Sequence, residues 1–164
     1  MISYPDQPGG IYVHVPYCVR KCPYCDFYSS ADTASIPAFL FALTSEMEKV
    51  GGTDQVFDTL YLGGGTPSIL EPESIARIIE TACNHFIMRT DVETTLETNP
   101  GTISFDSLAQ YRRAGVNRLN IGVQSFHHEN LKFLGRLHSV EEAVACIKWA
   151  RQARFDNIGL DLIY

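Results

Sequence analysis

Short apolar runs alternate with longer stretches of helical periodicity, and no repeat or low-complexity segment interrupts them. A period of two between apolar and polar positions marks strands, here at residues 10–15, 57–62, 92–98, 118–124 and 158–163. Apolar positions three and four apart predict helices over 37–50, 72–86, 105–114 and 140–153. In the second of these, Ile75, Ile78, Ile79, Ala82 and Phe86 share one face. The end signals agree: Ser139 with Glu142 spells a capping box, Gly115 stops the third helix, and Gly51-Gly52 stops the first.

Repeated β–α units predict a parallel sheet with helical crossovers. Strands of an open sheet covered on both faces should be apolar throughout, yet several of these alternate. Ile11, Val13 and Val15 oppose Tyr12 and His14; Leu119, Ile121 and Val123 oppose Arg118, Asn120, Gly122 and Gln124. Glu93, Thr95, Glu97 and Asn99 line one face of the third strand, and Gly159 and Asp161 one face of the fifth. One apolar face packs on helices while the other lines a ligand-filled interior, which is the pattern of a barrel. Five strands and four helices are too few to close one, so the chain is expected to be the N-terminal part of a longer domain.

The chain has 164 residues, is 45% hydrophobic and carries a net charge of −6. That length sustains a core of its own. The acidic balance gives no electrostatic case for nucleic acid. The first six residues lack a basic and apolar leader, and no apolar run reaches membrane-spanning length. Three of the five cysteines are bunched, which argues for a reducing, cytoplasmic setting and for metal or redox use rather than disulfides.

Those three, Cys18, Cys22 and Cys25, are spaced C-x3-C-x2-C and follow directly on the first strand. Three thiolates can hold an iron–sulfur cube and leave one iron open to a non-protein ligand. The competing reading is a structural zinc site with a fourth ligand such as His14, but no second cysteine or histidine pair follows. Cys83 and Cys146 fall on or near apolar helix faces and read as core thiols.

Further candidates gather at the C-terminal ends of the strands, where parallel α/β folds place their sites. Gly63-Gly64-Gly65-Thr66-Pro67 closes the second strand and permits close backbone approach to a ligand. Glu97, Gln124 and Asp161 form a polar ring on successive strands. Arg136 suits a carboxylate, although the pattern does not place it. His127, His128 and His138 read as ordinary polar residues.

Taken together, these motifs resemble the radical S-adenosylmethionine superfamily. Within it, Tyr12-Val13-His14-Val15-Pro16-Tyr17-Cys18, the Gly63 to Pro67 turn, Gly122-Val123-Gln124-Ser125-Phe126, Gly135-Arg136 and Asp161-Leu162-Ile163-Tyr164 resemble the oxygen-independent coproporphyrinogen III oxidase group. The resemblance implies an α/β fold, a partial (βα)6-type parallel barrel, with the rest of the barrel and a C-terminal domain outside this chain. It implies a [4Fe–4S] cluster on Cys18, Cys22 and Cys25 whose open iron chelates S-adenosylmethionine. That ligand would meet Tyr12, Tyr24 (near adenine), Gly64, Gly65 and Thr66 (methionyl end), Glu97, Gln124, Arg136 and Asp161. The implied chemistry is one-electron cleavage of the sulfonium to a deoxyadenosyl radical.

The oxidases of the group typically carry a further cysteine two residues after the third. Here Cys25-Asp26-Phe27-Tyr28-Ser29 resembles the haem-chaperone (HemW) branch instead. The resemblance therefore implies haem as cargo, an electron-donor protein and a haem-acceptor protein. The alternative is oxidative decarboxylation of coproporphyrinogen III, and an RNA-modifying role fits the acidic charge less well.

Overall fold

Five parallel strands stand in sequential order: β1 (Gly9–Val15), β2 (Val56–Gly64), β3 (Ile87–Thr98), β4 (Arg118–Gln124) and β5 (Asn157–Leu162). The helices are α1 (Ile36–Val50), α2 (Pro72–His85), α3 (Phe105–Ala114), α4 (His128–Phe133) and α5 (Val140–Gln152). This computed structural model describes residues 7–164, so the stretch read for a leader, residues 1–6, lies outside the described residues. Among the described residues β1 and β5 are the edges and the sheet is not closed. No helix there is long and apolar enough to cross a membrane.

The strand alternation sorts the two faces as expected. Val13, Leu62, Leu96, Leu119 and Ile158 lie side by side across the sheet, and the first four are at most 2% exposed. Against them pack Ile75, Ile78, Leu108, Tyr111, Ala143, Cys146 and Ala150 from the helices. Burying a large aliphatic side chain contributes about 1.5–3 kcal/mol, so each of the large side chains in this layer stabilises the fold on that scale. The opposite face repeats as Tyr12, Tyr61, Thr95 and Arg118 in one row. The next row holds His14, Gly63, Glu97, Asn120 and Gly159.

Local signals set the helix ends. Ser104 with Ser107 and Ser139 with Glu142 form reciprocal capping boxes. Gly115 ends α3 in the left-handed region at φ 109°.

Three readings need correction. β3 begins five residues earlier than the pattern indicates, because Arg89 to Val92 bulge out between the pairs Phe57–Met88 and Thr59–Glu93. The Arg89–Asp91 ion pair at 2.8 Å occupies that bulge and masks the alternation. α4 is a further helix, too short at six residues to show a period. Cys83 is exposed at the rim of the α2 stripe rather than in the core, whereas Cys146 is buried as read.

Candidate functional site

The cysteine loop leaves β1 and is pinned at its neck. The Cys18 amide donates to Ser30 O at 3.0 Å, and the Ser30 amide to Pro16 O at 2.8 Å. His14 Nε2 meets Tyr28 O at 3.0 Å, tying the far side of the loop to the strand. Within it the Cys25 amide donates to Cys22 O at 3.0 Å, folding the last two cysteines into a turn.

The glycine turn after β2 lies directly beneath this loop. A Cβ on Gly65 would stand 2.6 Å from Tyr17 O and 2.9 Å from Cys18 Sγ, so only glycine lets the two backbones meet. Thr66 Oγ1 donates to Cys18 Sγ at 3.5 Å. Gly64 takes φ 118°, and its amide donates to Glu97 Oε2 at 3.0 Å. Tyr61 donates to the other oxygen, Oε1, at 2.7 Å. Burial, then hydrogen bonding and proximity to the Glu97 carboxylate, hold the Tyr61 phenol well above its usual range.

Loop, turn and strand ends enclose a cavity of about 440 Å³. Tyr24, Cys25, Gly64, Gly65, Thr66, Glu97, Gln124, Arg136 and Asp161 all line it, as do Tyr61, Asn120 and Phe27. Glu97 and Asp161 bring carboxylates and Arg136 a guanidinium, a charge set suited to a zwitterion with hydroxyl groups. Asn120 Nδ2 donates to Asp161 Oδ2 at 2.9 Å and orients it. Gln124 holds φ 67°, a left-handed value uncommon for a non-glycine residue and concentrated at functional sites. The Tyr24 phenol is raised by burial, with Arg136 opposing and Cys22 and Cys25 adding to the rise.

Three of the expected site residues stand apart from that cavity. Tyr12 is 55% exposed on the β1 edge, stacked behind Tyr61 at 5.9 Å between centroids, with its hydroxyl 3.1 Å from His14 Nδ1. Burial raises its phenol above the usual range, with Glu97 adding. Cys18 is buried against the turn. Cys22 lines an adjoining cavity of about 50 Å³, with Thr66 and Arg136 in the wall between the two.

Among the described residues no three His, Cys, Asp or Glu side chains form a ready metal cage. The donors nevertheless fit an iron–sulfur cluster. All three thiols are free, and Cys22 and Cys25 flank the same Thr66–Arg136 wall to which Cys18 is bonded through Thr66. Soft thiolates select such clusters.

Sequence reasoning passed over two contributors. Tyr61 alternates with Leu60 and Leu62, both fully buried, so the period of two already turned it inward. His138 looks ordinary in the sequence, yet it is 3% exposed with Nε2 3.1 Å from Val123 O. Burial, then Arg136, lowers its pKa.

The sequence pattern of the Radical SAM superfamily matches residues 12–164. The chain belongs to the radical SAM superfamily. It is 39% identical to the haem chaperone HemW of Escherichia coli K12 over 96% of its own length and 43% of that protein. Against HemW of Mycobacterium tuberculosis H37Rv it is 37% identical over 98% of its length and 43% of that protein. The solved structure of E. coli coproporphyrinogen III oxidase (HemN), a radical SAM enzyme, superposes with a TM-score of 0.90 at 31% identity. That match covers 98% of this chain and 38% of the oxidase. The chain thus spans less than half the length of the curated relatives it matches, and its open parallel sheet has the fold of the matched part of that radical SAM structure.

Proposed function

We propose that this chain is the N-terminal part of the radical SAM core domain of a HemW-type haem chaperone. Cys18, Cys22 and Cys25 are the ligands of its [4Fe–4S] cluster. S-adenosylmethionine occupies the adjoining cavity, whose volume falls within the roughly 300–1,000 Å³ of small-ligand pockets. When bound, cluster and cofactor supply one-electron cleavage of the sulfonium.

The residues of this chain bind and orient. Glu97 has lone pairs left after accepting from Tyr61 and Gly64, and these suit an ammonium. Asp161, at the cavity rim, suits ribose hydroxyls. Arg136 adds positive charge to the cavity that both carboxylates line, and Tyr24 offers a ring for adenine. Haem, an electron-donor protein and a haem-acceptor protein are the proposed partners, in a cytoplasmic setting.

The observation that carries the chaperone reading is Phe27. It lines the cavity beside Cys25 and is 64% exposed, at the position where the oxidases of the group typically carry a fourth cysteine. A phenyl ring there offers contact area rather than redox or proton-transfer chemistry. The likeness to HemW proteins at 37–39% identity points the same way. The oxidase reading rests on the TM-score of 0.90 to HemN.

Anaerobic reconstitution of the protein with iron and sulfide, followed by titration with haem and by incubation with coproporphyrinogen III, S-adenosylmethionine and a one-electron reductant such as dithionite, separates the two. Tight haem binding without turnover is the expected result. Coproporphyrinogen consumption with stoichiometric release of methionine would assign the oxidase instead.

A further inference from the structure

We infer that the turn joining α4 to α5 is a clasp on the cysteine loop. Within it Arg136 is a positioning residue whose hydrogen bond to Cys22 raises the reduction potential of the cluster. This rests on the cluster reading above.

The contacts run in both directions. From the turn, Arg136 Nη1 lies 3.7 Å from Cys22 Sγ and 3.4 Å from Tyr24 Oη, while Nη2 donates to Gly122 O at 2.7 Å. From the loop, Arg20 donates to the carbonyl of Gly135. Pro23 packs on Gly135, where a Cβ would stand 2.9 Å from the proline ring and the backbone holds φ 66°. Nothing larger than glycine fits between the two segments.

The turn is itself rigid. The Arg136 amide donates to Leu131 O at 2.8 Å and the Gly135 amide to Lys132 O at 3.0 Å. Leu131 is 3% exposed, and His138 anchors the next residues to the end of β4. The guanidinium is therefore fixed against strand and loop before any ligand arrives.

A cationic donor on a cysteine sulfur stabilises the electron-rich, reduced cluster more than the oxidised one. Hydrogen bonds to the sulfurs are among the established determinants of cluster potential. Arg136 Nε is buried without a partner among the described residues, so the guanidinium is desolvated on that side and screened less there than a fully exposed charge would be.

The test is an anaerobic redox titration, followed by electron paramagnetic resonance in the absence of S-adenosylmethionine. Wild type, Arg136→Met and Arg20→Gln are compared, each with its iron and sulfide content measured. Arg136→Met is expected to lower the ratio of reduced to oxidised cluster at a fixed poise about tenfold, equivalent to about 59 mV for one electron. Arg20→Gln, which loosens the clasp from the other side, shifts it the same way by less.

Wild-type potentials in both variants at full iron content overturn this proposal alone. A wild-type protein that takes up no iron overturns the cluster reading, and this one with it. If Arg136→Met holds no iron, Arg20→Gln decides: a lowered potential upholds the clasp and an unchanged one refutes it.

Discussion

Tyr61 and Glu97, 36 residues apart, are joined by a 2.7 Å hydrogen bond from the phenol to Oε1. The carboxylate's other oxygen receives the Gly64 amide, so this one side chain ties β2 to β3 and holds the left-handed glycine in place. Tyr61→Phe leaves Oε1 without its donor. Both residues are half-buried, which limits the cost to about 1 kcal/mol. Urea denaturation of wild type and variant at neutral pH measures it, and an unchanged midpoint would show that water replaces the phenol fully.

Gly65→Ala forces a Cβ against Tyr17 O at 2.6 Å and Cys18 Sγ at 2.9 Å. Backbone blocks the first contact and a candidate cluster ligand the second, so the strain of about 1–3 kcal/mol falls on the neck of the cysteine loop. The variant is expected to hold less than half the wild-type iron after reconstitution. Gly52→Ala is the control. Gly52 has φ 76° and nothing within 4 Å of its would-be Cβ, so alanine costs about 1–2 kcal/mol of stability and leaves iron content unchanged.

The parts of the site that the sequence discloses are those governed by the strand period. Gln124, Glu97 and Asp161 each follow an apolar residue, Val123, Leu96 and Leu160 respectively, and do face the cavity. Arg136 does not lie on a strand. It reaches the site through a six-residue helix and a turn, and only the tertiary fold brings it to Cys22. Cys83 misleads for a related reason. It adjoins Ala82 on α2 and continues the apolar stripe in sequence, but the neighbouring elements leave it exposed. Periodicity reports the direction of a side chain, not whether a neighbouring element covers it.

Thiol labelling tests that correction together with the cluster ligands. In the metal-free protein an aromatic disulfide reagent is expected to modify Cys83, Cys22 and Cys25, which are exposed or half-exposed. Burial pushes the Cys146 thiol up to about 12, so it reacts only in denaturant. After anaerobic reconstitution Cys22 and Cys25 should be protected while Cys83 still labels. Continued labelling of Cys22 or Cys25 in iron-replete protein would remove them from the ligand set.

Tyr111 sets an alkaline limit on the fold. Its ring is 1% exposed beneath α2, and its hydroxyl donates to Leu70 O at 3.2 Å. Burial, with Glu71 and Glu73 adding repulsion, raises its pKa to about 12, against about 10 in an unfolded chain. Because the folded pKa is the higher, the neutral phenol's contribution to stability is complete below pH 10. As pH climbs from about 10 to about 12 the unfolded state ionises first, and that contribution is lost. The urea midpoint should therefore fall across this interval. In Tyr111→Phe the fall should be shallower, and the ultraviolet titration should lose one late-ionising phenol. An equal fall in the variant would show that other raised phenols, those of Tyr12, Tyr24 and Tyr61, set the alkaline transition rather than Tyr111.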